Sequence, residues 1–129
     1  MIPIAKPYLT ADEAQAAYDT ILTGWITQGP RVAEIEEKFA KYTGAKFAVA
    51  VSNCTTALHL AMIVAGVKEG DEVICPSMSY VATANSIKYV GAKPVFAEVN
   101  PKTYNLDVVD TERKITSKTK AILLVQDRK

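Results

Sequence analysis

The sequence predicts an α/β fold: a mostly parallel sheet whose strands alternate with helices, preceded by two N-terminal helices. Two patterns carry this. Short apolar runs rich in strand formers recur between residues 47 and 125, as expected of strands covered on both faces. Helical stretches separate them, and strand–helix alternation at that spacing calls for right-handed crossovers between parallel strands.

The elements follow in order. Thr10 with Glu13 fits a capping box, so a helix is expected over about 11–23, with Gly24 as its left-handed stop. A glycine-bracketed loop runs from Gly24 to Gly29. Pro30 suits the first turn of a second helix, where its missing N–H costs nothing. Val32, Ile35, Phe39 and Tyr42 recur there at helical spacing, and Gly44 ends it. Residues 47–51 read as a strand and 52–54 as a turn. Residues 55–65 are apolar nearly all round, which suits a buried helix. A second strand, 72–75, stops at Pro76. A helix over 80–90 has Ser77 or Ser79 as its cap. Residues 94–98 form a third strand, about 107–115 a weak polar helix, and 120–125 a last strand. Two parts result: residues 1–45, helical with a loop, and residues 46–129, an α/β domain.

Bulk properties narrow the function. A formal net charge of +1 over 129 residues points away from nucleic acid and from charged membrane surfaces. No apolar run approaches the roughly 20 residues that span a bilayer. The start, MIPIAKPYLTADE, lacks a signal-peptide core, so a cytoplasmic location is expected. Cys54 and Cys75 form no CxxC, and no His/Cys cluster has zinc spacing; they are expected as small half-buried residues in a reducing compartment, with no metal site.

Ligands of open α/β sheets sit beyond the carboxyl ends of the strands. The turn after Val51 is Ser52-Asn53-Cys54-Thr55-Thr56, leading into a helix. Its free amides and the positive end of the helix dipole make a phosphate cradle, with hydroxyls at Ser52, Thr55 and Thr56 beside them. It is neither a P-loop nor a GxGxxG turn, and on spacing alone these hydroxyls read as helix caps ahead of a cradle. Tyr80, after the second strand, offers a flat face to a planar ring or simply packs at a helix start. His59, one turn into the apolar helix, reads as a hydrogen-bonded core residue before a catalyst. Trp25 and Thr27 lie in the glycine-bracketed loop, where a tryptophan serves as a plug or as an anchor for a subunit or ligand.

Taken together, the blocks Gly24-Trp25-Ile26-Thr27-Gln28-Gly29-Pro30, Val49 to Ala61, Gly70 to Ser77, Tyr80 to Asn85 and Gly91 to Phe96 resemble, in order, the DegT/DnrJ/EryC1/StrS family of sugar aminotransferases. The likeness runs from about Pro7 to Val125. It implies the fold of the aspartate aminotransferase superfamily, here an incomplete large domain, and the cofactor pyridoxal 5'-phosphate. It implies that backbone amides at Cys54, Thr55 and Thr56 hold the cofactor phosphate, where family members often have Gly-Thr-Ala, and that Tyr80 stacks on the pyridine ring. It places Trp25 and Thr27 on the substrate side, commonly across a homodimer interface. The implied reaction moves an amino group from an amino acid, usually glutamate, to a keto sugar attached to a nucleotide.

The family's Schiff-base lysine and its carboxylate opposite the ring nitrogen fall in later blocks, and no lysine here has that context. No catalytic residue is therefore expected in this chain, which by itself is expected to be inactive and marginally stable or prone to aggregate. The ending Gln126-Asp127-Arg128-Lys129 departs from the family and resembles a truncation or frameshift. A non-catalytic phosphate-binding module and a regulatory homologue are the competing expectations.

Overall fold

A computed structural model of the protein describes residues 5–126. The ending at 127–129 lies outside them. The chain forms two compact units, one up to Ala50 and one from Val51 onward, and each is described by itself.

In the first unit, α1 spans Ala11–Leu22 and α2 spans Pro30–Thr43. The capping box forms as the sequence predicts. The Thr10 amide donates to Glu13 Oε2 at 2.6 Å, and the Asp12 amide donates to Thr10 Oγ1 at 3.3 Å. Gly44 closes α2 at φ 73°, a left-handed conformation that favours a residue without Cβ. On α2, Glu34 accepts from Arg31 at 3.1 Å and Lys38 at 2.6 Å.

The predicted strand at 47–51 does not form. A strand exists only as part of a ladder, and no other strand among the described residues takes up this backbone. The Ala50 amide donates instead to Glu36 Oε1 at 2.8 Å, and Phe47 and Val49 stay exposed.

Among the described residues the second unit holds three parallel strands rather than the predicted four-strand series: β1 (Glu72–Pro76), β2 (Lys93–Ala97) and β3 (Thr119–Ile122), in the order β2-β1-β3. Three helices alternate with them: α3 (Cys54–Val64), α4 (Ala82–Tyr89) and α5 (Val108–Arg113). The central β1 is buried along its whole length. Its alternate residues face opposite ways. Val73 and Cys75 join Met62 of α3 and Ile87 of α4 in one cluster with Val67 and Ala92. Ile74 is fully buried on the other side, level with Val95 and Ile122. β3 ends sooner than the apolar run 120–125 suggests. The Leu123 amide still reaches the Ile74 carbonyl at 2.8 Å, and the chain then leaves the sheet. α4 starts at Ala82, two residues later than predicted. Neither Ser77 nor Ser79 caps it; Val81 holds the cap position with no side-chain hydrogen bond.

Glu72 ties the amino ends of the sheet together. Its Oε2 accepts from Thr116 Oγ1 at 2.7 Å, and its Oε1 pairs with Lys93 Nζ at 3.0 Å. The Thr116 hydrogen bond first, and the Lys93 ammonium second, hold this carboxyl below its usual range. A depressed folded value contributes stability above the unfolded pKa of about 4.3, which is lost as pH falls through the folded value. The urea midpoint of the native chain is therefore expected to exceed that of Glu72→Gln at pH 7, with the gap narrowing as pH falls below the unfolded value. A gap that does not narrow as the pH is lowered overturns the assignment.

Candidate functional site

The start of α3 is built by Asn53. Its backbone is extended, and its side-chain Oδ1 accepts from the Thr56 amide at 2.9 Å. Asparagine directly before an apolar helix is among the strongest N-caps, so this signal was present in the sequence, although the hydroxyls drew the capping expectation. The neighbouring hydroxyls gather on the same cap. Thr56 Oγ1 donates to Asn53 Oδ1 at 3.1 Å and lies 3.2 Å from Ser52 Oγ, and Asn53 Nδ2 donates to Ser52 Oγ at 3.3 Å.

With Asn53 as the cap, the Thr56 amide and hydroxyl are both engaged on Asn53 Oδ1, and Ser52, whose oxygen accepts from Asn53 Nδ2, keeps its own hydroxyl proton to give. The amides of Cys54 and Thr55 meet no acceptor among the described residues. The first turn of α3 carries no acidic side chain to oppose an anion. Two free amides, the helix dipole and the Ser52 hydroxyl suit a phosphate. Cys54 is exposed, while Thr55 and Thr56 are half-buried.

Tyr80 lies in the loop between β1 and α4 and is 79% exposed. It borders a cleft of about 230 Å³ with Pro76, Thr83 and Phe96 at the carboxyl ends of β1 and β2. The helices that follow the two turns pack on each other, and His59 of α3 meets Tyr89 of α4 edge-on, with ring centroids 5.4 Å apart. His59 thus belongs to the helix contact.

Trp25 and Thr27 lie in the first unit. The Trp25 amide donates to Thr23 Oγ1 at 3.2 Å, and its ring covers Gly29, where a Cβ would lie 3.0 Å from the Trp25 Cε3 atom. Gly29 is the residue that lets the ring lie there. Thr27 is exposed.

The cysteines are both free, but neither is half-buried as expected: Cys54 is exposed and Cys75 is fully buried. Burial pushes the Cys75 thiol up. Among the described residues no group of three or more His, Cys, Asp or Glu side chains is placed to hold a metal ion, and no helix is long and apolar enough to cross a membrane.

A family model for the DegT/DnrJ/EryC1/StrS aminotransferase family matches residues 7–127. GDP-perosamine synthase of Escherichia coli O157:H7 is 43% identical over 96% of this chain and 34% of its own length. UDP-4-amino-4-deoxy-L-arabinose--oxoglutarate aminotransferase of Shewanella sediminis is 43% identical over 96% of this chain and 32% of its own. Among solved structures, Spr1654 of Streptococcus pneumoniae in its PMP form superposes with a TM-score of 0.90 at 39% identity, covering 95% of this chain and 31% of that one; its PLP form matches with a TM-score of 0.88. The chain thus spans about a third of the length of the curated relatives it matches. It belongs to the DegT/DnrJ/EryC1/StrS aminotransferase family, whose cofactor is pyridoxal phosphate.

Proposed function

We propose that this chain supplies the phosphate end of the cofactor site in an aminotransferase that moves an amino group from glutamate to a nucleotide-linked keto sugar. The observation that carries the proposal is the pair of free amides at Cys54 and Thr55, on a helix start capped by Asn53. These amides bind the phosphate, and the Thr56 and Ser52 hydroxyls stand beside them. Tyr80 flanks the ring. Trp25 and Thr27 face the substrate. The bound cofactor supplies the electron sink for carbanion chemistry, and the protein binds and orients it. The GDP- and UDP-sugar names of the two relatives support a nucleotide sugar as acceptor, and the oxoglutarate in one of them supports glutamate as donor.

In this proposal the complete protein is a cytoplasmic homodimer, and residues 46–129 are part of its cofactor-binding domain, with residues 1–45 on the substrate side. The lysine that joins the cofactor lies outside these residues, so the chain by itself is inactive. The test is borohydride reduction with pyridoxal phosphate followed by peptide mapping. No lysine-linked adduct is expected within these 129 residues, and finding one overturns the proposal. The complete protein is expected to form oxoglutarate from glutamate when given a nucleotide-linked keto sugar.

Large apolar side chains, among them Val64, Phe47, Val49 and Leu124, are 70% exposed or more. Such surface drives association. Thermal unfolding of the isolated chain is expected to depend on protein concentration, and a cooperative, concentration-independent melt of a monomer refutes this.

A further inference from the structure

We propose that Thr83 is the positioning residue for the Tyr80 ring; this rests on the reading of Tyr80 as the shelf of the cofactor ring. Tyr80 is 79% exposed, and its ring has no stacking partner among the described residues. The point and direction from which the side chain leaves the chain, and the rotamers open to it, are therefore set by the backbone around it. α4 has no side-chain cap to fix that backbone, and Thr83 supplies the fixing from within the first turn of the helix. Its amide donates to the Tyr80 carbonyl at 3.0 Å. Its Oγ1 lies 2.7 Å from Ser79 Oγ, on the residue just before the ring. One bond thus falls on each side of the segment that carries Tyr80.

The geometry differs from ordinary helical threonines. A threonine hydroxyl in a helix usually returns to the carbonyl four residues back. Thr20, Thr43 and Thr111 do this, donating to the carbonyls of Ala16, Phe39 and Asp107. The residue four back from Thr83 is Ser79, and there the hydroxyl meets the side chain instead. Thr83 itself is only 5% exposed, and its carbonyl accepts from the fully buried Ser86 hydroxyl at 2.8 Å. The anchor is fixed in the body of the unit, while the side chain it aims is left open to a ligand.

The test uses the complete protein and four variants: Thr83→Val, Thr83→Ser, Ser79→Ala and Tyr80→Ala. Three quantities are read: the visible circular dichroism induced in bound pyridoxal phosphate, its Kd, and the urea midpoint. Valine matches threonine in shape and removes only the hydroxyl, and exposed Ser79 can turn to water. Thr83→Val is expected to flatten the induced signal and weaken binding about three- to tenfold, as the fraction of molecules with the ring in place falls, with the urea midpoint unchanged. Thr83→Ser is expected to keep the native signal. Ser79→Ala is expected to match Thr83→Val, with the double variant no worse than either. A native signal and Kd in Thr83→Val, while Tyr80→Ala alters both, overturns the role of Thr83 and leaves the Tyr80 reading standing. A native result for Tyr80→Ala overturns that reading and this proposal with it. Loss in Thr83→Val that tracks a fallen urea midpoint, or that serine does not restore, reports packing and also overturns it.

Discussion

Ile87→Ala is expected to lower the stability of the second unit by about 2–5 kcal/mol, whereas Val64→Ala changes it by less than about 0.5 kcal/mol. Both residues are aliphatic and both lie on helices of the same unit, so propensity does not distinguish them. Burial does. Ile87 is fully buried against Val73 and Cys75 of the central strand and Met62 of the neighbouring helix, while Val64 is 87% exposed. Truncating Ile87 removes its transfer free energy and leaves a cavity that the fully buried β1 cannot collapse to fill. The loss is a large share of a domain's usual 5–15 kcal/mol. Urea unfolding at matched, dilute protein concentration measures both variants. Equal midpoints for the two refute the placement of the core between α3, α4 and β1.

That core was legible in the sequence because its elements are specified locally. The run Glu72-Val73-Ile74-Cys75 is apolar without alternation apart from its first residue, and the structure buries it on both faces as the central strand. Thr10 with Glu13, Pro30, Gly24 and Gly44 fix the first two helices through chemistry that acts within a few residues. The failures are non-local. Residues 47–51 have the composition of a strand, but a ladder needs a second chain segment, and composition does not report whether one is present. The run 120–125 loses its later residues for the same reason: pairing ends once Leu123 has reached Ile74.

The site divides along the same line. The turn 52–56 was visible because a strand-forming run, a polar turn and an apolar helix follow each other directly. The cap itself turned on one atom: Asn53 Oδ1 takes the Thr56 amide, and the amides of Cys54 and Thr55, which meet no acceptor among the described residues, are what the proposed cradle rests on. The bonds on which the role proposed for Thr83 rests were hidden. The absence of a cap on α4 is a backbone fact, with Val81 already in the helical region at the cap position, and a Ser/Thr pair four residues apart is common in sequence.

Cys54→Pro is expected to leave α3 intact and to weaken pyridoxal phosphate binding in the complete protein about 10- to 150-fold. Proline is best tolerated at the first helical position, and Cys54 occupies it. The residue before a proline is driven to extended backbone, and Asn53 already lies there at φ −166°, ψ 169°. The amide that proline removes has no acceptor among the described residues, so no internal hydrogen bond is lost. Stability is therefore expected to hold, or to rise by up to about 1 kcal/mol as the unfolded chain is restricted. The ligand loses a hydrogen bond to a charged phosphate, about 1.5–3 kcal/mol, which gives the stated factor. Pyridoxal, which lacks the phosphate, is expected to bind both proteins alike, and Cys54→Ala, which keeps the amide, to bind pyridoxal phosphate as the native protein does. Thr55→Pro makes the contrast. It removes the other free amide but forces Cys54 out of helical backbone, so binding and the urea midpoint are expected to fall together. Titration of each variant with the two ligands separates these outcomes. Native affinity for pyridoxal phosphate in Cys54→Pro removes the amide at position 54 from the cradle, and with it half of the observation on which the functional proposal stands.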